Sequence, residues 1–318
     1  MKKLKPQSTY RIRNWSHYNK ALINRGSLSL WIDPTVAKHW ASPVTTGLPG
    51  RPPLYSNVAI LTTLTLAGVF RLPLRQTMGF LRSILSLMKL DLPAPDYTTL
   101  CRRRVHLDVP LAARKRPKND GLLHIVVDST GLKVYGEGEW KVRQHGYSKR
   151  RTWRKLHLAV DESTGDILAE ALTENTMHDS SMLLPLLQEI PGGISQVSAD
   201  GAYDSHEIHK YLKEQAIRAT IPPRRGSRIR THGNTKGEKS GRDEILRRIR
   251  KIGRKQWKIE SYYHRRSLSE TAMFRIKTIF GSHLSARRFE AQQMEARLRC
   301  RAMNIMTSLG MPESYLVT

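Results

Sequence analysis

Cysteine is almost absent. Cys101 and Cys300 are the only two in 318 residues, far apart and without a second thiol at metal-ligand spacing. That excludes a disulfide framework or a zinc ribbon and reads as two reduced thiols in a cytoplasmic chain. Long hydrophobic runs are missing as well: the longest, Val58 to Phe70, is interrupted by Thr62, Thr63, Thr65 and Gly68 and falls short of a membrane span. The opening Met1-Lys2-Lys3-Leu4-Lys5-Pro6-Gln7 is basic but has no apolar block behind it, so no secretory signal is expected. Acidic residues are scarce. Against 54 Lys and Arg stand 27 Asp and Glu, a formal charge of +27. Such an excess favours a polyanion whose condensed counterions are released on binding, and nucleic acid is the leading partner ahead of anionic membrane.

The N-terminal third is helical in pattern. Tyr10, Trp15, Tyr18, Trp31 and Trp40 lie among basic and polar residues, an interleaving that suits stacking on nucleic acid and equally suits the anchors of small helices. Tyr55–Phe70 and Leu74–Met88 read as helices joined by a Leu72-Pro73 turn. A short basic helix carrying Arg102 and Arg103 follows the break at Pro93–Pro95; the set fits a helix-turn-helix-like DNA reader, or any small bundle with a charged surface. Arg114-Lys115-Arg116-Pro117-Lys118 has no apolar period and reads as a linker, dividing the chain into a helical region 1–118 and a second domain 119–318.

Beyond residue 118 the pattern turns to α/β. Leu122–Thr130 is a near-continuous apolar run of strand length, as expected of a strand covered on both faces, and Asp128 follows directly on its apolar part. Thr152–Val160 alternates, and returns through the Asp161–Asp166 turn into Ile167–Leu172 as a hairpin. Helix is expected over Asp179–Ile190, strand over Ile194–Gly201 with Asp200 near its end, helix from Asp204 to Gln215, and strand over Arg218–Ile221. Asp179 and Asp204 read as helix caps, with a role as extra ligands as the alternative. Residues 222–257 form a basic insertion, with Arg224, Arg225, Arg228 and Arg230 in its first part, a mobile loop, and Arg247 and Arg248 on a basic helix; the set reads as a phosphate track. A last helix, Arg287–Leu309, is expected to pack back on the domain.

Tyr263, Arg266, Glu270 and Lys277 fall on one face of a helix, within an arc of about 60° at 100° per residue, opposite Leu268, Ala272, Met273, Ile276, Ile279 and Phe280. Taken alone this is a solvated ridge with an ion pair between Arg266 and Glu270. Taken with Asp128 and Asp200 it supplies three carboxylates, enough hard oxygen to hold divalent cations against a phosphodiester.

Tyr263-x2-Arg266-x3-Glu270-x6-Lys277 resembles the signature around the third acid of bacterial DDE insertion-sequence transposases. Asp128 in Val-Val-Asp-Ser-Thr and Asp200 in Ala-Asp-Gly-Ala-Tyr-Asp match that family's first two aspartates. Arg151-Thr152-Trp153-Arg154-Lys155-Leu156-His157 is similar to the second strand of the branch typified by insertion sequence five. The similarity spans roughly residues 50–310. It implies an α/β RNase H-like fold and two Mg²⁺ (Mn²⁺ substituting) held by Asp128, Asp200 and Glu270. It further implies double-stranded DNA with terminal inverted repeats as substrate, cleavage followed by strand transfer, and a homo-oligomer on DNA. Arg151, Trp153, Lys155 and His157 are expected near DNA or the site, with a buried structural Trp as the alternative. A hydrolysis-only nuclease and a non-catalytic DNA-binding repressor remain the rival functions.

Overall fold

A computed structural model describes residues 9–42, 52–114, 121–134, 153–231 and 240–317. The chain enters through a short strand, β1 (Thr9–Ile12), then α1 (Trp15–Asn24) and α2 (Pro34–Lys38). Next come α3 (Asn57–Val69), α4 (Leu74–Leu87) and α5 (Tyr97–Arg103). Ser56 caps α3 by accepting from Ala59 N, and Asp96 caps α5 by accepting from the amides of Thr98 and Thr99. The second region runs β2 (Leu123–Val134), β3 (Trp153–Asp161), β4 (Ile167–Glu174), α6 (Asp179–Gln188) and β5 (Ile194–Ser198). It continues through α7 (His206–Glu214), β6 (Arg218–Thr220), α8 (Gly241–Ile252), α9 (Arg254–Glu260) and α10 (Ser267–Phe280). It closes with β7 (His283–Leu284), α11 (Phe289–Ser308) and β8 (Ser314–Val317).

The main sheet has the order β4-β3-β2-β5-β6, with β7 on the far end of β2. The first three strands form an antiparallel meander, and β5 and β6 add parallel to β2. That combination is the RNase H-like arrangement. The long apolar run of β2 is explained by its central place, with helices over both faces. Leu132, Leu156, Leu158 and Val160 pack on one side with Ala272, Met273 and Ile276 of α10 and Cys300 and Met303 of α11. Ile125, Val127, Ala159 and Val197 pack on the other with Leu183, Leu186, Ile208 and Leu212 of α6 and α7.

The expected division at residue 118 falls among residues outside the described set. On either side of it the two regions share one core: Trp31, Ile32, Trp40, Leu66, Leu81 and Leu85 belong to the same apolar cluster as the sheet and α10–α11. Trp31 and Trp40 are therefore core anchors with no face left for stacking on nucleic acid, while Tyr10 and Trp15 are exposed. The strand pair β1–β8, unforeseen from the sequence, ties the two ends of the described chain together. No single helix among the described residues is long and apolar enough to cross a membrane; α3 and α4 pass that test only as a pair, bent by 109°, and α3 is largely buried.

Two elements depart from the expected pattern. Tyr263–Arg266 is a 3₁₀ turn rather than the start of an α-helix, entered through a left-handed Tyr262 (φ 56°). Glu270 thus sits in the first turn of α10, not in mid-helix, where the amide dipoles favour a negative charge. Within the basic insertion, Arg254–Glu260 is helical and anchored by a buried Trp257. The mobile-loop expectation for the insertion's first part concerns residues of which 232–239 lie outside the described set.

Candidate active site

Strand register places the first two carboxylates together. Val126 of β2 pairs in parallel with Ser198 of β5. Asp128 and Asp200 each lie two residues further along, so they reach the same level on neighbouring chains and the same face of the sheet. Asp200 has left the strand: its Oδ1 accepts from Ala202 N at 2.8 Å and caps the turn Gly201–Tyr203.

Asp128 is more enclosed than Glu270, its side chain 14% exposed against 55%. Its Oδ1 accepts from Ser129 N at 2.8 Å, and its Oδ2 from Arg266 Nη1 at 2.7 Å. The other arm of the same guanidinium reaches Glu270 Oε1. Arg266 thus spans the gap between strand β2 and helix α10. Ser269, buried, donates from its hydroxyl to the Arg266 carbonyl at 2.8 Å and lies 3.5 Å from Asp128 Oδ2. Burial pushes the Asp128 carboxyl up, and the charges of Asp200 and Glu270 push the same way; the Ser129 amide and Arg266 do not fully offset them. Arg266 is raised in turn, its neighbours Asp128, Tyr263 and Glu270 outweighing its burial.

Tyr263 leans over this group. Its ring lies 5.8 Å from the Arg266 guanidinium carbon and 6.2 Å from the Trp257 ring, and burial raises its hydroxyl. Lys277 is two turns further along α10, about 10 Å from Glu270 by helical rise; burial lowers its amine. The three acids and Arg266 therefore form one group, with Tyr263 at its edge and Lys277 apart. Among the described residues no three acidic, His or Cys side chains gather at metal-ligating distance; the guanidinium stands between two of the expected ligands.

The expected DNA contacts sort differently. Arg151 lies outside the described residues. Trp153 packs against Gly131, where a Cβ would meet its ring at 3.1 Å, and lies under Lys133. Lys155 donates to Met177 O at 2.9 Å and to Asp179 Oδ1 at 3.1 Å. His157 cannot touch DNA: its side chain is fully buried, paired with the Thr173 hydroxyl at 2.8 Å, and burial pulls its pKa down to about 4. Alternation gave it the right parity but not the exposure. Arg103 is held by Tyr55 O and Asn57 Oδ1, whereas Arg102 is exposed. Arg224, Arg225, Arg228 and Arg230 are all exposed, and Arg224 reaches the carbonyls of Gly201 and Ala202, which keeps their segment beside Asp200. Arg248 is committed to Glu260 at 2.8 Å and Arg247 to the Thr231 carbonyl.

Neither expected cap is one. Asp179 opens α6 without a side-chain cap bond and binds Lys155 instead. Ser205 caps α7, and Asp204 is buried in a cluster the sequence did not suggest. Its two oxygens accept from Arg242 Nε and Nη2, both at 2.7 Å, and Oδ2 from Arg224 N at 3.0 Å; His209 Nε2 lies 3.3 Å from Oδ1. Burial alone would raise this carboxyl, but His209, Arg242 and the Arg224 amide hold it well below the usual carboxylate range. This cluster fastens the basic insertion to α7. Arg242 is 38 residues from Asp204, so no local spacing marks the pair. Tyr203 is buried on the opposite face of the sheet, where burial and the charges of Asp179, Asp128 and Asp200 raise its hydroxyl.

Residues 119–305 match a family model described as a transposase DDE domain, and residues 23–137 match a second model of the same description. Among solved structures, the chain is similar to a piggyBac transposase synaptic complex with hairpin DNA, at 11% identity and a TM-score of 0.36 over 91% of this chain and 74% of that one. It is also similar to a Drosophila P element transposase strand transfer complex, at 14% identity and a TM-score of 0.30 over 54% of this chain and 42% of that one. Likenesses this slight do not align individual site residues.

Proposed function

Because this chain belongs to the family of transposases built on the DDE domain, we propose that it is an insertion-sequence transposase with Asp128, Asp200 and Glu270 as its acids. Its substrate is double-stranded DNA bearing the element's terminal inverted repeats, which it cuts and then joins to a target. The branch typified by insertion sequence five is favoured by the run Arg151–His157. A cytoplasmic site of action agrees with the free thiols of Cys101 and Cys300.

The observation that carries the reading is the pair of aspartates brought level at one edge of the sheet, with Glu270 of α10 joined to Asp128 through a single guanidinium. Enzymes of this family use divalent metal ions. The donor set suits a hard cation: all the oxygens are carboxylate, and burial with mutual repulsion already pushes Asp128 toward its protonated form, which a bound cation reverses. Asp128, Asp200 and Glu270 would hold two Mg²⁺, with Mn²⁺ able to substitute. When bound, such ions polarise the scissile phosphate and steady the entering and leaving oxygens.

The chain's own residues do the rest. Asp128 is held in one rotamer by the Ser129 amide and Arg266, so its oxygens are placed before substrate arrives. Arg266 supplies the local positive charge and, with Tyr263 against it, can turn a donor toward a phosphate oxygen. Arg225, Arg228 and Arg230, exposed on the segment that Arg224 ties to the Gly201 and Ala202 carbonyls, steer the duplex backbone toward the site.

Asp128→Asn, Asp200→Asn and Glu270→Gln are each expected to abolish divalent-dependent cleavage of a duplex carrying the inverted repeat, with duplex binding retained. Full cleavage by any one variant removes that residue from the set. With precut ends and a target plasmid, the wild-type protein should give joined products; hydrolysis without joining would make it a nuclease.

A further inference from the structure

A large cleft lies away from the carboxylates, at the far end of α10. It encloses about 1390 Å³ between the α3–α5 helices on one side and the β7–α11 segment on the other. Phe280, the last residue of α10, lies in its floor. The two walls carry Arg102 and Arg104 from the end of α5 and Arg287 and Arg288 from the approach to α11. Among the described residues none of these four has a carboxylate partner, and Arg104 Nε is buried with no acceptor at all. Elsewhere Arg114, Arg242, Arg248, Arg266 and Arg297 each sit on an acid, and several others, Arg103, Arg247 and Arg301 among them, are held by carbonyl oxygens. The one carboxylate in the cleft, Glu295, is already taken up by the amides of Ser285 and Ala286 and by Arg299.

Unpaired guanidinium groups on facing walls repel one another unless an anion lies between them, and a phosphodiester backbone is the anion that presents charge at regular intervals. We propose that this cleft is a second DNA-binding surface, holding the sugar-phosphate backbone of a duplex through Arg102, Arg104, Arg287 and Arg288. The inference rests on the transposase reading and adds to it a binding surface separate from the reacting phosphate. Ten residues of α10 separate Glu270 from Phe280, about 15 Å of helical rise, so the cleft is set apart from the carboxylates. A single strand is the poorer fit, because unpaired bases need exposed aromatic platforms. Here Tyr97 is already covered by Arg75 at 4.5 Å, and Phe280 is 5% exposed.

The test is the salt dependence of binding, read by fluorescence anisotropy on a labelled duplex and on the matching single strand. Arg102→Ala with Arg287→Ala and Arg288→Ala, all at exposed positions, should lower the steepness of log affinity against log salt. The expected drop is about 0.9 for each phosphate no longer neutralised, so about two to three in total. Lys20→Ala with Lys210→Ala, two exposed cations outside the cleft, should leave the slope unchanged, and the thermal midpoint of both variants should match the wild type. A wild-type slope in the triple variant would overturn the cleft while leaving the transposase reading intact. A larger loss on the single strand than on the duplex would overturn the assignment to duplex DNA. Failure of the wild-type protein to bind DNA at all would overturn both readings.

Discussion

Asp128 and Asp204 each accept from an arginine at 2.7 Å, yet their carboxyls shift in opposite directions. Asp204 has both prongs of Arg242, the Arg224 amide and His209 around it, and no other acid is among the main influences on its carboxyl. Asp128 has one prong of Arg266, which it shares with Glu270, and the charges of Asp200 and Glu270 pressing on it. Distance to the nearest cation therefore does not decide the outcome; the count of donors against competing acids does. The first cluster is a satisfied structural joint. The second keeps unspent negative charge, which is what a cation-binding site requires.

Breaking the joint should cost most. Asp204→Asn strands the buried guanidinium of Arg242 and should destabilise the protein by about 3–5 kcal/mol, whereas Asp128→Asn removes a repelling charge and should change stability by less than about 1 kcal/mol. Paired urea unfolding curves check both values, and an equal loss in the two variants would erase the distinction. A third arginine–carboxylate pair sits between these extremes. Glu170 lies 3.3 Å from Arg297, but burial raises its carboxyl to about 7. For a carboxyl raised above its ordinary 4.5, the stabilising contribution is complete below that pH and fades as pH rises through about 7. Wild-type stability should fall across that window by on the order of 2 kcal/mol, and Glu170→Gln should flatten the fall; thermal midpoints at pH 5 and pH 8 decide it.

A smaller effect than that of Asp204→Asn concerns the shared cation itself. Arg266→Ala leaves Asp128 and Glu270 uncompensated and should lower metal-free stability by about 1 kcal/mol. Added Mn²⁺ should then raise the melting temperature more in this variant than in the wild type, because the ion no longer competes with a guanidinium. An equal rise in both proteins would mean that Arg266 does not occupy the cation's place.

Much of this was legible along the chain. The alternation of β3, the hairpin after it and the spacing of α3, α4 and α11 each state a local period, and the structure has those elements within a residue or two; the apolar run of β2 marked where that strand begins, but the strand continues to Val134. Asp128, Asp200 and Glu270 could be picked out because two follow short apolar runs and the third lies on a polar ridge. His157 misled for the opposite reason: its parity in β3 is right, but parity says only which face a side chain takes, not what covers that face. Trp31 and Trp40 were ambiguous for the same reason, since an aromatic among charges looks alike whether it packs inward or faces solvent. Arg254–Glu260, short and flanked by basic residues, lacked the apolar period that would have marked it as helix.

Local order, the excess of positive charge and the candidacy of the three acids were set by the sequence alone, because each depends on neighbours a few residues apart. Contacts between distant segments were decided only in three dimensions. The Val126–Ser198 register brings Asp128 level with Asp200, Arg266 slips between Asp128 and Glu270, and Arg242 closes on Asp204. Packing of the sheet against its helices selects these partners, and no periodicity along the chain carries that information.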